Sequence, residues 1–202
     1  MKYPSKVLEQ AVMAISALPG IGKKSALRLA IHLVQDQNQK SEKLVEALNS
    51  LNTNIKHCKK CHIISDNDIC DICSSPHRVK DTICVVENLR DVMAIEETQQ
   101  YSGLYHILGG VISPINGIGP NDLNITDLAH RIASEGIKEL IMAISPTIDG
   151  DTTIFYLSKV LKNSNVSIST IARGVSFGGE LEYADELTLG RSIMSRLPYK
   201  NN

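Results

Sequence analysis

No stretch of this 202-residue sequence approaches the ~18 consecutive apolar residues of a membrane-spanning helix, although 43% of its residues are apolar. The N-terminal MKYPSKVLEQAV lacks the apolar core of a secretion signal. No internal repeat and no low-complexity segment occurs, so neither a solenoid array nor a disordered tract is expected. Net charge is only −1, so the whole composition points to no strongly charged partner. Cysteine is scarce, at five residues. These absences leave a soluble, cytoplasmic globular protein, with room for one full domain and one or two small ones. In that compartment thiols stay reduced, and paired cysteines favour metal over disulfide.

What is present is unevenly placed. Residues 1–60 carry ten Lys or Arg against four Asp or Glu, and residues 61–202 carry eleven against eighteen. A basic first third on an acidic body fits an anionic partner for that third; a merely solvated basic face fits equally. Four of the five cysteines fall in CKKCHIISDNDICDIC as two Cys-x-x-Cys pairs, Cys58/Cys61 and Cys70/Cys73. Each pair offers two thiolates from a tight turn, and the two together complete a tetrahedral zinc site. The interior of the loop is mostly polar, so the segment is expected to need the ion to fold. Four thiolates leave no open position, which makes the zinc structural, one per chain. A redox pair or free buried thiols are the competing readings. His57, His62 and His77 lie nearby but are not required as ligands. Cys84, inside TICVVE, reads as a small buried apolar side chain.

LPGIGKKSALRLA (18–30) has the pattern of a helix-hairpin-helix. Gly20 and Gly22 permit a tight turn whose backbone N–H groups, at the start of the next helix, can face a phosphate oxygen. Lys23, Lys24 and Arg28 lie in the first turns of that helix. Such contacts hold nucleic-acid backbone without reading sequence; an ordinary helix–turn–helix connection is the bland alternative. A Walker A loop is rejected, because Ala17 replaces its first glycine, Lys24 replaces its Ser/Thr, and a helix rather than a strand precedes it.

Apolar spacing predicts a helix over 5–18 capped by Ser5, a second from Lys23 sharing a face through Leu27, Ala30, Ile31 and Val34, and a third over 41–55 capped by Ser41. From Asp81 onward strands and helices alternate. TICVVE, LYHILGG, KELIMAIS and VSISTIA read as strands. Helices fall in NLRDVMAIEET, in TDLAHRIASEG (capped by Thr126, stopped near Gly136) and in DTTIFYLSKVLKN. VISPINGIGPNDL reads as a loop. That alternation implies a parallel sheet covered on both faces, an α/β body behind a small helical N-terminal domain. Glu87 ends the first strand of the body, and Asp149 and Asp151 are placed at the end of the strand in KELIMAIS. Carboxylates there converge on the crevice where such folds bind ligands, and three together could hold Mg²⁺. The alternative is that Asp149–Asp151 is a turn and a helix cap.

A helix-hairpin-helix, a four-cysteine zinc motif and a Toprim (Rossmann-like) domain, in that order and in about 200 residues, resemble the RecR family of bacterial recombination mediators over essentially the full length. The resemblance also rests on VVE at Glu87, on LYHILGGVISPINGIGPNDL and on IARGVSFGGELEYADELTLGRSI. It implies domains at 1–55 (helix-hairpin-helix), 56–79 (zinc finger), 80–172 (Toprim) and 173–202 (a Walker-B-like stretch, Gly178 to Asp185, and a tail). It implies a non-catalytic DNA-repair protein that binds single- and double-stranded DNA without sequence specificity, through Gly20, Gly22, Lys23, Lys24 and Arg28. In such a family RecO, and in some settings RecF, help it load RecA onto single-stranded DNA covered by SSB, in the cytoplasm at the nucleoid. It further implies a ring-like tetramer, or a dimer, and a recognition role for Glu87, Asp149 and Asp151. The alternative from another class is a Mg²⁺-dependent Toprim enzyme, a small nuclease or primase-like protein.

Overall fold

The computed structural model describes residues 3–35, 40–175 and 178–198, so the end of the 173–202 tail lies outside the described residues. The chain divides into two compact units, 1–55 and 56–202.

The first unit is three helices: α1 (Lys6–Ser16), α2 (Lys23–Val34) and α3 (Lys40–Asn54). Ser5 caps α1 as expected, its hydroxyl accepting from the Leu8 N–H. Val12 of α1 packs on Ala26 and Ala30 of α2, two small residues one turn apart that let the helix backbones approach. The expected face of α2 is thereby shifted: Ala26 and Ala30 are buried, while Ile31 and Val34 are exposed. Helix α3 begins at Lys40, so Ser41 lies inside it and is not its cap. None of its residues is buried, although Leu44, Leu48 and Leu51 recur at helical spacing.

The second unit opens with the cysteine segment. Strands β1 (Lys56–His57) and β2 (Ile64–Ser65) pair antiparallel, and one helical turn, α4 (Asp71–Ser74), follows. Then come β3 (Thr82–Val86), α5 (Leu89–Glu97), β4 (Leu104–Ile107), α6 (Ile125–Glu135), β5 (Glu139–Ala143), α7 (Ile148–Val160) and β6 (Ser167–Thr170). The four longer strands form one parallel sheet in the order β4-β3-β5-β6. Their alternation sorts side chains to two faces. Ile83 and Val85 join Leu104, Leu140 and Met142 beneath α6 and α7. Cys84 and Val86 join Tyr105, Val92 of α5 and the four cysteines on the other face. Ile72 of α4 packs against both clusters, so the cysteine segment wraps the β4 edge.

Two helix starts differ from the sequence expectation. Asn124, not Thr126, precedes α6, because the Asn124 backbone is tied back to the Leu108 carbonyl at 2.9 Å and its side chain to the Ile107 carbonyl. Gly136 stops that helix in the left-handed region, φ 67°, as expected. Helix α7 starts at Ile148, capped by Thr147, whose hydroxyl accepts from Gly150 N–H at 3.0 Å. Asp149 and Asp151 therefore sit in the first helical turn and not at the end of β5, where acidic side chains favour the helix dipole. After β6, α8 (Glu186–Met194) is capped by Asp185. No helix among the described residues is long and apolar enough to cross a membrane.

Candidate metal centre and nucleic-acid interface

The ligand atoms of Cys58, Cys61, Cys70 and Cys73 all lie within 4.8 Å of one another, and all four residues are buried. Backbone geometry sets them. Cys58 N–H donates to the Ile63 carbonyl at 2.8 Å and His62 N–H to the Cys58 carbonyl at 2.9 Å, which closes the first turn. His62 accepts a left-handed φ of 63° to make that turn. Cys70 N–H donates to the Cys58 sulfur at 3.3 Å and Cys73 N–H to the Cys70 sulfur at 3.4 Å. The Cys61 and Cys70 sulfurs are 3.5 Å apart. Four thiols this close cannot all ionise without a cation. Bonding to Cys70 pushes the Cys61 thiol up, and bonding from Cys61 draws Cys70 down. A tetrahedral ion with thiolate affinity resolves that conflict, and the set fits one structural zinc. His62 is outside the set: its Nε2 faces Asp127 Oδ2 of α6 at 3.0 Å. Cys84 is a buried thiol pushed up to about 12 by desolvation, in keeping with an apolar role.

The segment is bonded to the sheet. The edge strand β4 turns the N–H and C=O of Tyr105 and Ile107 away from β3. Ile107 N–H donates to the Cys61 carbonyl at 2.9 Å, and the Tyr105 carbonyl accepts from Arg131 Nη1 at 2.6 Å. Arg131, from α6, is 5% exposed. Its Nε donates to Glu135 Oε2 at 2.9 Å and its Nη2 lies 3.9 Å from the Cys73 sulfur. The sequence reading missed this arginine: paired with Glu135 one turn on, it looks like a surface ion pair. Also missed was Arg78, which forks onto Glu96 while Tyr105 OH donates to the same carboxylate at 2.7 Å.

In the first unit Gly20 adopts φ 81°, which a side chain resists, and Gly22 N-caps α2 with no side-chain hydrogen bond to the first-turn N–H groups. Added Cβ atoms at either glycine would meet nothing within 4 Å, so the backbone there is open. Lys23, Lys24 and Arg28 are exposed and form no ion pair among the described residues. The arrangement presents uncapped N–H groups and three free cations on the start of one helix, which suits an anionic backbone.

The carboxylates at the carboxyl end of the sheet are placed differently from one another. Glu87 follows β3, and its Oε1 accepts from Ser145 N–H at 2.6 Å. Asp151 pairs with Arg173 Nη1 at 2.6 Å. Asp149 forms no ion pair among the described residues. The four cysteines are the only set of three or more ligand groups within such reach of one another among the described residues. A groove of about 480 Å³ opens beside Thr147, Arg173, Asp185 and Arg191. Asp185, the acid of the Walker-B-like stretch, accepts from Thr188 N–H at 2.9 Å as the cap of α8, and that bonding holds its carboxyl below the usual range.

Comparison with known proteins covers the chain from end to end. Residues 8–51 match the family description "RecR, helix-hairpin-helix", and 55–75 match the four-cysteine zinc finger domain of RecR. Residues 81–172 match "Toprim domain", and 174–196 match "RecR, C-terminal". The Recombination protein RecR of Cytophaga hutchinsonii is 56% identical over 197 residues, 97% of this chain and 96% of that protein. Those of Porphyromonas gingivalis and Bacteroides thetaiotaomicron are 53% and 54% identical, over 100% and 96% of this chain and 97% and 95% of theirs.

Proposed function

The chain belongs to the RecR family of recombination proteins, and from that premise we propose that it is a DNA-repair mediator that works by binding and not by turnover. It holds single- and double-stranded DNA through phosphate contacts from Gly20, Gly22, Lys23, Lys24 and Arg28. With RecO, and in some settings RecF, it promotes loading of RecA onto SSB-covered single strands, in the cytoplasm at the nucleoid. The observation that carries the DNA-binding part is the open, uncapped start of α2 flanked by three unpaired cations.

One helix-hairpin-helix offers few phosphate contacts, each weakened by salt. Several copies around one duplex raise avidity without new contacts. The exposed apolar residues of α3, Leu44, Leu48 and Leu51, support assembly into a tetramer or dimer, since contiguous exposed apolar surface marks an interface. Residues 56–79 act as a structural zinc module, residues 80–172 as the Toprim body and residues 173–202 as an appended tail.

A Mg²⁺-dependent Toprim nuclease or primase-like enzyme is the second reading, favoured only by the Toprim match. The spacing of Glu87, Asp149 and Asp151 supports the mediator instead, because a Mg²⁺ site needs carboxylate oxygens that converge, and among the described residues only the four cysteines bring three or more ligand atoms within reach of one another. Incubating the protein with labelled single- and double-stranded DNA plus Mg²⁺ or Mn²⁺ separates the two. Binding with no cleavage or synthesis is expected. Turnover that disappears in Glu87→Ala overturns the proposal.

A further inference from the structure

Arg131 is a buried cation that reaches one of the four metal-ligating cysteines. Its carboxylate partner, Glu135, is shared with Lys60, whose Nζ lies 2.7 Å from Glu135 Oε1. One carboxylate thus faces two cations. The remaining acceptors in reach of the guanidinium are the Tyr105 carbonyl and the Cys73 sulfur. With Zn²⁺ bound, four thiolates around a divalent ion leave a buried centre of charge about −2. The second anion that Arg131 lacks is then supplied by the sulfurs.

The sulfurs are not equally served. Cys58 and Cys70 each accept a backbone N–H from within the cysteine segment. Cys73 accepts instead from Arg131, a residue 58 positions away on a helix of the sheet body. We propose that Arg131 is a positioning residue for the zinc centre: it holds the Cys73 thiolate on the ion from outside. Through its second bond, to the Tyr105 carbonyl, it ties metal occupancy to the closed edge of β4. Cys61 closes the same edge from the other side through Ile107 N–H. The ion, the arginine and the edge strand form one unit, and the zinc module doubles as the cover of an edge that would otherwise offer unpaired backbone groups.

The test uses full-length, zinc-loaded protein and follows zinc release to a chromophoric chelator. Arg131→Met is expected to release zinc about 10- to 100-fold faster than the parent, the range for loss of a group supporting a metal ligand. Glu135→Gln removes the carboxylate that Arg131 and Lys60 share but leaves the guanidinium on the sulfur, and its zinc release is expected to stay within about twofold of the parent. Equal release by Arg131→Met and parent overturns the proposal. So does equal acceleration by both variants, since that describes a clamp on α6 with no special relation to the metal. If Arg131→Met does not fold, Arg131→Lys retains the charge and loses the fork. In the cobalt-loaded protein Arg131→Lys is expected to shift the thiolate-to-cobalt absorption while Glu135→Gln leaves it in place. Superimposable spectra for Arg131→Lys and the parent overturn the assignment.

Discussion

The N–H of Ile107 donates to the carbonyl of Cys61 at 2.9 Å, so the last residue of β4 is bonded to the loop that carries the metal ligands. The zinc segment is therefore part of the sheet's edge as well as a module in its own right. Chelation of the ion, or Cys70→Ser, is expected to abolish hydrogen-exchange protection at Ile107 and Cys58 and to destabilise residues 56–202. Residues 1–55, with their own core of Val12, Ala26 and Ala30, are expected to keep theirs. Metal analysis is expected to give about one zinc per chain. Unchanged exchange at Ile107 after complete zinc removal would show that the edge closes without the ion.

Arg78, Glu96 and Tyr105 form a network against the same strand. Bonding from Arg78 holds the Glu96 carboxyl below its ordinary range. A carboxylate whose folded value is depressed stabilises the fold above its unfolded value of ~4.3, and that stability is lost as pH falls through the folded value. Glu96→Gln is expected to cost about 1–3 kcal/mol at pH 7. The gap between variant and parent should narrow steadily below about pH 4. Urea titrations of both proteins at pH 7, 5 and 3.5 measure it, and a gap that does not depend on pH rules out the charged network.

Gly150 stands in the first turn of α7, where an added Cβ would meet the Ser145 carbonyl oxygen at 2.0 Å and Ile144 Cγ2 at 3.2 Å. The helix can start this close to the exit of β5 only because that position has no side chain. Gly150→Ala is expected to cost ~1–3 kcal/mol through forced displacement of the α7 start, despite alanine's better helix propensity. A thermal melt at or above the parent's would refute the close approach.

The elements with local signals were legible in the sequence. Ser5, Gly20 and Gly136 announce a cap, a turn and a stop by their own chemistry, and two cysteine pairs announce a metal. Legibility failed where long-range bonds chose among neighbours. Thr126 and Asn124 both carry side chains able to cap, and Asn124 precedes α6 because its backbone and amide are bonded to Leu108 and Ile107. Thr147 was overlooked because the Ile-Asp-Gly-Asp that follows reads as a turn, with glycine in a helix's first turn a weak helix former. That oversight misplaced Asp149 and Asp151 on the strand end. Arg131 carried no signal at all, since a single sequence does not separate a buried Arg–Glu pair at i, i+4 from a solvated one.

For DNA, Lys23→Ala with Arg28→Ala is expected to weaken binding to all sequences alike. The slope of log affinity against log salt should flatten by about 1.8 on duplex DNA, near 0.9 for each phosphate contact removed. Filter binding or anisotropy across a salt series measures it. An unchanged slope would move the interface away from the start of α2.

The last prediction concerns Asp149 and Asp151. Their place in the first turn of α7 already gives both a local reason to be acidic, and Asp151 has a cation of its own in Arg173. If they served only the helix, their removal would cost a few tenths of a kcal/mol to about 1 kcal/mol in stability and nothing else. The proposed recognition role demands more. Removing both changes the local charge by two units in the positive direction and leaves Arg173 without its carboxylate. Association with a basic surface on a partner such as RecO should then slow by about tenfold or more at low salt, because rim charges act mainly on the encounter rate. The defect should shrink as salt rises and the attraction is screened within ~10 Å. DNA binding and native oligomer mass should be unaffected, since the changes lie outside the residues 1–55 unit that carries the cationic turn. Stopped-flow association of Asp149→Ala/Asp151→Ala at two salt concentrations, set beside a thermal melt, distinguishes the roles. Slower association with a nearly unchanged melt supports docking, and a lowered melt with parental association at low salt confines these carboxylates to the helix.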